Sequence, residues 1–95
     1  MAEPLRRVPA LTAGLIWQAV EDGTVVVSPA EGVYRTFNPS GSHVWALIDG
    51  KNDVLAIAAA FQKAYHLEWE QAVQHVNDFL AALEERGLLN WQPGE

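Results

Sequence analysis

The chain has 95 residues, a formal net charge of −6 at pH 7 and no cysteine. That length allows one hydrophobic core and no second, and the missing cysteine excludes a disulfide framework, thiolate metal sites and a cysteine nucleophile together. The acidic balance argues against a nucleic-acid partner, whose affinity rests largely on phosphate neutralisation by Lys and Arg, and no run approaches the roughly 18–20 apolar residues of a membrane span, so a cytoplasmic protein with neither partner is expected.

Residues 1–13 carry two prolines and the basic pair Arg6-Arg7 without a clear period, which predicts a flexible N-terminal arm. Residues 15–20 are partly β-branched and aromatic and run into Glu21-Asp22-Gly23, a tight-turn signal, so a hairpin with a return strand over 24–28 follows. Ser28-Pro29-Ala30-Glu31-Gly32 is a second turn, and it delivers the chain to a third strand, Val33-Tyr34-Arg35-Thr36-Phe37. Alternation puts Val33, Arg35 and Phe37 on one face and Tyr34 and Thr36 on the other.

At Asn38 the period changes. Asn38 is a good N-cap and Pro39 suits the first helical position, so a helix over 39–49 is predicted, with Val44, Leu47 and Ile48 sharing a face and Gly50 stopping it. Asp53 should cap a second helix over 54–65, with Val54, Ile57, Ala58 and Phe61 buried. His66-Leu67 break the pattern. A third helix over 68–86 carries Ala72, Val73, Val76, Phe79, Leu80 and Leu83 at spacings of three and four, and Gly87 suits its C-terminal stop. An extended piece over 88–91 and a tail over 92–95 complete the chain. The expected fold is α+β and winged-helix-like, a three-stranded antiparallel sheet followed by three helices, with the domain over 14–91.

The three histidines, His43, His66 and His75, do not fall at metal-ligand spacing on one helix face, so packing or surface roles are expected and no metal. Ser28, Ser40 and Ser42 have no accompanying nucleophile motif, and Asp49, Asp53 and Asp78 read as caps or solvated helix positions. No constellation for catalysis and no cofactor motif is present. Trp45 and Trp69 are expected in or beside the core.

Several pieces, in order, resemble the PqqD-like family of peptide-recognition elements from ribosomally made, post-translationally modified peptide (RiPP) pathways. They are Phe37-Asn38-Pro39-Ser40-Gly41, Trp45-Ala46-Leu47-Ile48-Asp49-Gly50, the helix around Ile57, and the run from Val76-Asn77-Asp78-Phe79-Leu80 to Arg86-Gly87-Leu88-Leu89. Departures are Glu68 in place of a better cap, Phe37 where Leu is common, and Asp78 following Asn77 rather than another acid. The resemblance implies a non-enzymatic protein that binds the leader segment of a precursor peptide. The leader would add as a strand beside Val33, Tyr34, Arg35, Thr36 and Phe37, in a groove walled by the third helix. Val73, Val76, Asn77 and Leu80 are the candidates for that wall, although periodicity leaves open which edge of the stripe meets the groove.

A separate protein of this length, with Tyr34 in the third strand and Asn38-Pro39-Ser40-Gly41 at the helix start, looks most like the leader-binding subunit of lasso-peptide assembly. The partners this implies are the leader peptide, a cysteine protease that removes the leader, and a cyclase. A PqqD-like peptide chaperone for a different modifying enzyme is an alternative. The same element order also permits a winged-helix DNA-binding regulator, but its reading helix would carry Glu68, Glu70, Asp78, Glu84 and Glu85 against Arg86, the wrong sign for phosphate contact.

Overall fold

A computed structural model describes residues 6–92 of the chain. The element order is β1 (Pro9–Leu11), β2 (Ile16–Val20), β3 (Gly23–Ser28), β4 (Val33–Phe37), α1 (Pro39–Ala46), α2 (Val54–Tyr65), α3 (Trp69–Glu85) and β5 (Leu89–Trp91). The fold is α+β. Strands β2, β3 and β4 form an antiparallel meander in that order, while β1 and β5 make a separate antiparallel ribbon.

That ribbon corrects the expectation of an arm through residue 13. Pro9 pairs with Trp91 and Leu11 with Leu89. Flanking bonds extend the join: Gln92 N–H donates to the Val8 carbonyl at 2.9 Å, and Val54 N–H donates to the Arg7 carbonyl at 3.0 Å. Pro9 is fully buried, and the Arg7 guanidinium lies 4.1 Å from the Trp91 ring centroid. Pro9, one of the two prolines that made this segment look irregular, opens a short strand, where a missing N–H is tolerated. Residues 1–5 and 93–95, also assigned to arm and tail, lie outside the described residues.

The core sits between the inner face of the meander and the three helices. Val26 contributes from β3, Val44 and Trp45 from α1, Ile57, Ala58 and Phe61 from α2, Ala72, Val76, Leu80 and Leu83 from α3, and Leu88 and Leu89 from the closing segment. Small side chains on α2 and α3, notably Ala58 and Ala72 at 0% exposure, let the two helices approach closely. Trp69 packs on the rim of this cluster and Trp45 lies within it at 1% exposure.

Helix boundaries follow local chemistry. Asn38 Oδ1 accepts from Gly41 N–H at 2.8 Å and Asp53 Oδ1 accepts from Ala56 N–H at 2.8 Å, each satisfying an otherwise unbonded donor of the first turn. Helix α1 ends at Ala46, shorter than the predicted 39–49, because Leu47 and Ile48 donate to Val44 and Trp45, three residues back, and tighten the last turn. His66 takes φ 55° at the end of α2, which realises the predicted break before α3.

The α1–α2 turn is held by Asp49, whose Oδ1 accepts from Lys51 N–H and Asn52 N–H, both at 2.9 Å. These bonds to Asn52 and then Lys51 favour the carboxylate and lower its pKa below the ordinary 3.8. A lowered folded-state pKa contributes stability above the unfolded value that is lost as pH falls through the folded one. The Lys51 and Asn52 amide resonances are therefore expected to titrate together, with a common midpoint below 3.8 in an NMR pH series. A midpoint above that value would disprove this role for Asp49.

Candidate functional site

Hairpin geometry determines which backbone groups of β4 are available. Val20 pairs directly with Gly23 across the two residues Glu21-Asp22, which makes them a hydrogen-bonded pair. Alternation then turns the polar groups of Thr24, Val26 and Ser28 toward β4, opposite Phe37, Arg35 and Val33. The N–H and C=O groups of Tyr34 and Thr36 consequently face away from β3, along the outer side of β4. No described strand pairs there. The Tyr34 and Thr36 side chains project from the outer face of the sheet, and Tyr34 is 71% exposed.

The inner face of β4 points toward the helices. Phe37 packs edge-on against Phe79 of α3, with centroids 5.2 Å apart at 77°, and lies 5.2 Å from the ring of Trp45. This packing explains the Asn38-x-x-Gly41 motif. Asn38 caps the Gly41 amide, and Gly41 must lack a side chain because a Cβ there would come within 2.9 Å of Phe79. A hydrogen bond from Thr24 Oγ1 to Ser42 Oγ at 2.6 Å ties β3 to α1, so strand, capped helix and aromatic wall are positioned together.

The β4-facing side of α3 thus carries Phe79. Its helical neighbours on that edge are His75, four residues back, and Arg86, seven residues on. The structure does not bring the predicted wall residues to this edge as a set. Val76 is 0% and Leu80 1% exposed, so both fill the core, and Val73 packs against it. Asn77 is exposed but stands two residues, about 200° of helical rotation, from Phe79. Sequence reasoning placed Phe79 on the apolar stripe of the third helix without naming it for the wall, and helical spacing carries no signal that would single it out.

Just past the end of β4 a pocket of about 280 Å³ is lined by Asn38, Ser40, Gly41, Phe61, His75, Asp78 and Phe79. Phe61 and Phe79 give it aromatic walls, and Asn38, Ser40 and Asp78 a polar rim. A second cleft of about 410 Å³ lies between the β2–β3 hairpin and α1, beside Trp17, Ala19, Pro39 and His43. His43 and His75 both pack around Phe61, at 6.5 and 6.0 Å between centroids. Among the described residues no group of His, Cys, Asp and Glu gathers at a metal-binding distance, and no helix is long and apolar enough to cross a membrane.

The family model for coenzyme PQQ synthesis protein D (PqqD) matches residues 23–89. The chain belongs to the PqqD family. The matched span holds β3, β4 and all three helices, and therefore the outer edge of β4 and the Phe37–Phe79 contact, while β1 and β2 lie outside it. No curated protein matches the sequence.

Two solved structures share the fold with this PqqD-family chain. One is TbiB1 in complex with the TbiA(beta) leader peptide, 21% identical, covering 90% of this chain and 99% of its own, with a TM-score of 0.80. The other is the PqqD truncation of Methylobacterium extorquens PqqCD, described as a functional, stand-alone RiPP recognition element. It is 24% identical, covers 87% of this chain and 88% of its own, and has a TM-score of 0.72. At these identities the likeness establishes the fold.

Proposed function

We propose that the chain is a non-catalytic recognition module that binds the leader segment of a ribosomally made precursor peptide as a strand added to β4. The observation that carries this reading is the outer edge of β4, where the outward polar groups of Tyr34 and Thr36 have no described strand beside them and the strand ends at the Phe37–Phe79 contact with α3. Strand addition supplies main-chain hydrogen bonds at about 0.5–1.5 kcal/mol net each, and alternate side chains entering the groove supply sequence choice. Membership of the PqqD family supports the reading, as does the fold shared with TbiB1, a protein solved with a leader peptide bound. In this reading Tyr34 and Thr36 contribute backbone, Arg35 and Phe37 contribute inward side chains, and Val33 continues the strand.

The finer assignment is lasso-peptide assembly, in which a separate cysteine protease removes the leader and a cyclase follows. Tyr34 and Asn38-Pro39-Ser40-Gly41 support it by resemblance. The chain would then present the leader to the protease. A row of exposed apolar side chains, Ile16, Val27 and Tyr34, crosses the three strands on the face opposite the groove and stays open while a leader is docked. A nucleic-acid reading draws no support from α3 and its N-cap, where Glu68, Glu70, Asp78, Glu84 and Glu85 are all exposed.

A synthetic leader with a Tyr-x-x-Pro-x-Leu-like motif is expected to bind at submicromolar to micromolar strength, about −8 to −9 kcal/mol. The perturbed backbone amides should cluster in β4 and around Phe79. Titration calorimetry without heat, together with unmoved amides across Val33–Phe37, would remove the proposal.

A further inference from the structure

Arg35 differs from every other basic residue of the chain. Of the six Lys and Arg side chains, Arg6, Arg7, Lys51, Lys63 and Arg86 are exposed, while Arg35 is partly withdrawn from solvent. Its Nε is sealed from water and has no hydrogen-bond partner among the described residues. Arg7 stacks on Trp91, whereas no described ring lies under the Arg35 guanidinium. The Nε1 groups of Trp45 and Trp91 are sealed and unpartnered in the same way, but only Arg35 brings a charge, and a guanidinium that loses water at Nε without gaining an acceptor there favours an anionic acceptor at its remaining N–H groups.

The register says where such an acceptor would meet it. Arg35 stands in one inner-face row with Val26 and Trp17, and its own N–H and C=O face β3. An antiparallel strand added on the other side therefore meets Arg35 as a non-hydrogen-bonded pair, the kind in which facing side chains come closest, with Cα atoms about 4.5 Å apart. Phe37, two residues along, has the same relation to the added strand and lies against Phe79.

We propose that Arg35 reads a carboxylate in the docked strand: an Asp or Glu pairs with Arg35, and an apolar side chain two residues away pairs with Phe37. Antiparallel addition makes the recognised pattern apolar-x-acid, and parallel addition makes it acid-x-apolar. This deepens the strand-docking reading and rests on it. The net charge of −6 disfavours acids elsewhere in the visiting segment. An acidic preference confined to one position is thus a mark of Arg35 and not of the general field.

The test is selection of a displayed library of random 12-residue segments against the full chain and against its R35M and R35E variants. R35M keeps the apolar stem and removes the charge; R35E reverses it. The wild-type chain is expected to enrich Asp or Glu at one position with an apolar residue two away, R35M to keep the apolar residue and lose the acid, and R35E to enrich Lys or Arg in its place. A synthetic peptide from the wild-type pool should bind about ten- to hundredfold more weakly when its acid is changed to the amide, and R35M should not distinguish the two peptides. The acid-to-amide comparison uses the wild-type chain alone, so it decides the matter even if a variant fails to fold. Apolar-spaced segments without a positional acid, or an acidic preference that survives in R35M, would overturn the role of Arg35 and leave strand docking standing. Recovery of no segment at all would overturn both.

Discussion

Replacing Thr36 by proline is expected to weaken leader binding by at least about a hundredfold while the fold survives. Thr36 N–H points away from β3, so its loss removes nothing from the meander. Proline is tolerated in edge strands when its missing N–H faces solvent, and Arg35 before it already has the extended backbone a proline requires. For a visiting strand the same change removes a donor worth about 1 kcal/mol and puts a ring where the neighbouring backbone must approach to about 4.8 Å. Arg35→Pro should behave in the opposite way. Its N–H faces Val26, so the meander loses a rung and leaves a carbonyl without a donor, a cost of about 2–4 kcal/mol. Thermal unfolding and titration calorimetry on the pair separate the outcomes. Unchanged peptide affinity in Thr36→Pro would eliminate the β4 edge as the docking site.

Gly23→Ala is expected to destabilise the protein by about 3 kcal/mol or more, a fall in melting midpoint of at least about 12 °C for a domain of this size. Gly23 has φ +154°, a conformation L side chains rarely adopt, and a Cβ there would lie 1.8 Å from the Phe37 carbonyl oxygen. Neither backbone can yield without breaking the Thr24–Phe37 pairing that closes the sheet beside the groove. Gly32→Ala is the control. Gly32 has φ +68°, but a Cβ there meets nothing within 4 Å, so only conformational strain of about 1 kcal/mol is expected. If the two variants melt alike, the close approach of Gly23 to Phe37 has no energetic weight. If Gly23→Ala folds normally but its Phe37 and Phe79 resonances move, the approach positions the groove without stabilising the fold.

Elements whose signals are local were legible. The turn at Glu21-Asp22, the Asn38-Pro39 helix start, the Asp53 cap and the apolar face Val54, Ile57, Ala58 and Phe61 all depend on residues within one or two turns of each other, and they occur where the sequence puts them. The β1–β5 ribbon was not legible. Pro9 and Trp91 are distant in sequence, each strand has three residues, and neither carries a period long enough to register. The C-terminal end of α1 was overextended because Leu47 and Ile48 continue the apolar face after the α-helical bonding has stopped.

The candidate site divides in the same way. That Val33–Phe37 is a short strand ending at a firm cap follows from the order Phe37-Asn38-Pro39, and its two-residue period assigned Arg35 and Phe37 to one face. Helical period gave α3 an apolar stripe wide enough to include Val73, Val76, Phe79 and Leu80, but a stripe has two edges, and nothing in its spacing tells them apart. Only packing decides, because Gly41 leaves a gap that Phe79 fills and so turns that edge of α3 toward β4. The sequence by itself determined the strand, its cap and its inward-facing residues, since each depends on bonds a few residues long. The tertiary structure alone decided which edge of α3 meets β4, which amides stay outward, and that Arg35 Nε is withdrawn from water without a partner among the described residues, because these depend on groups that meet only when the chain is folded.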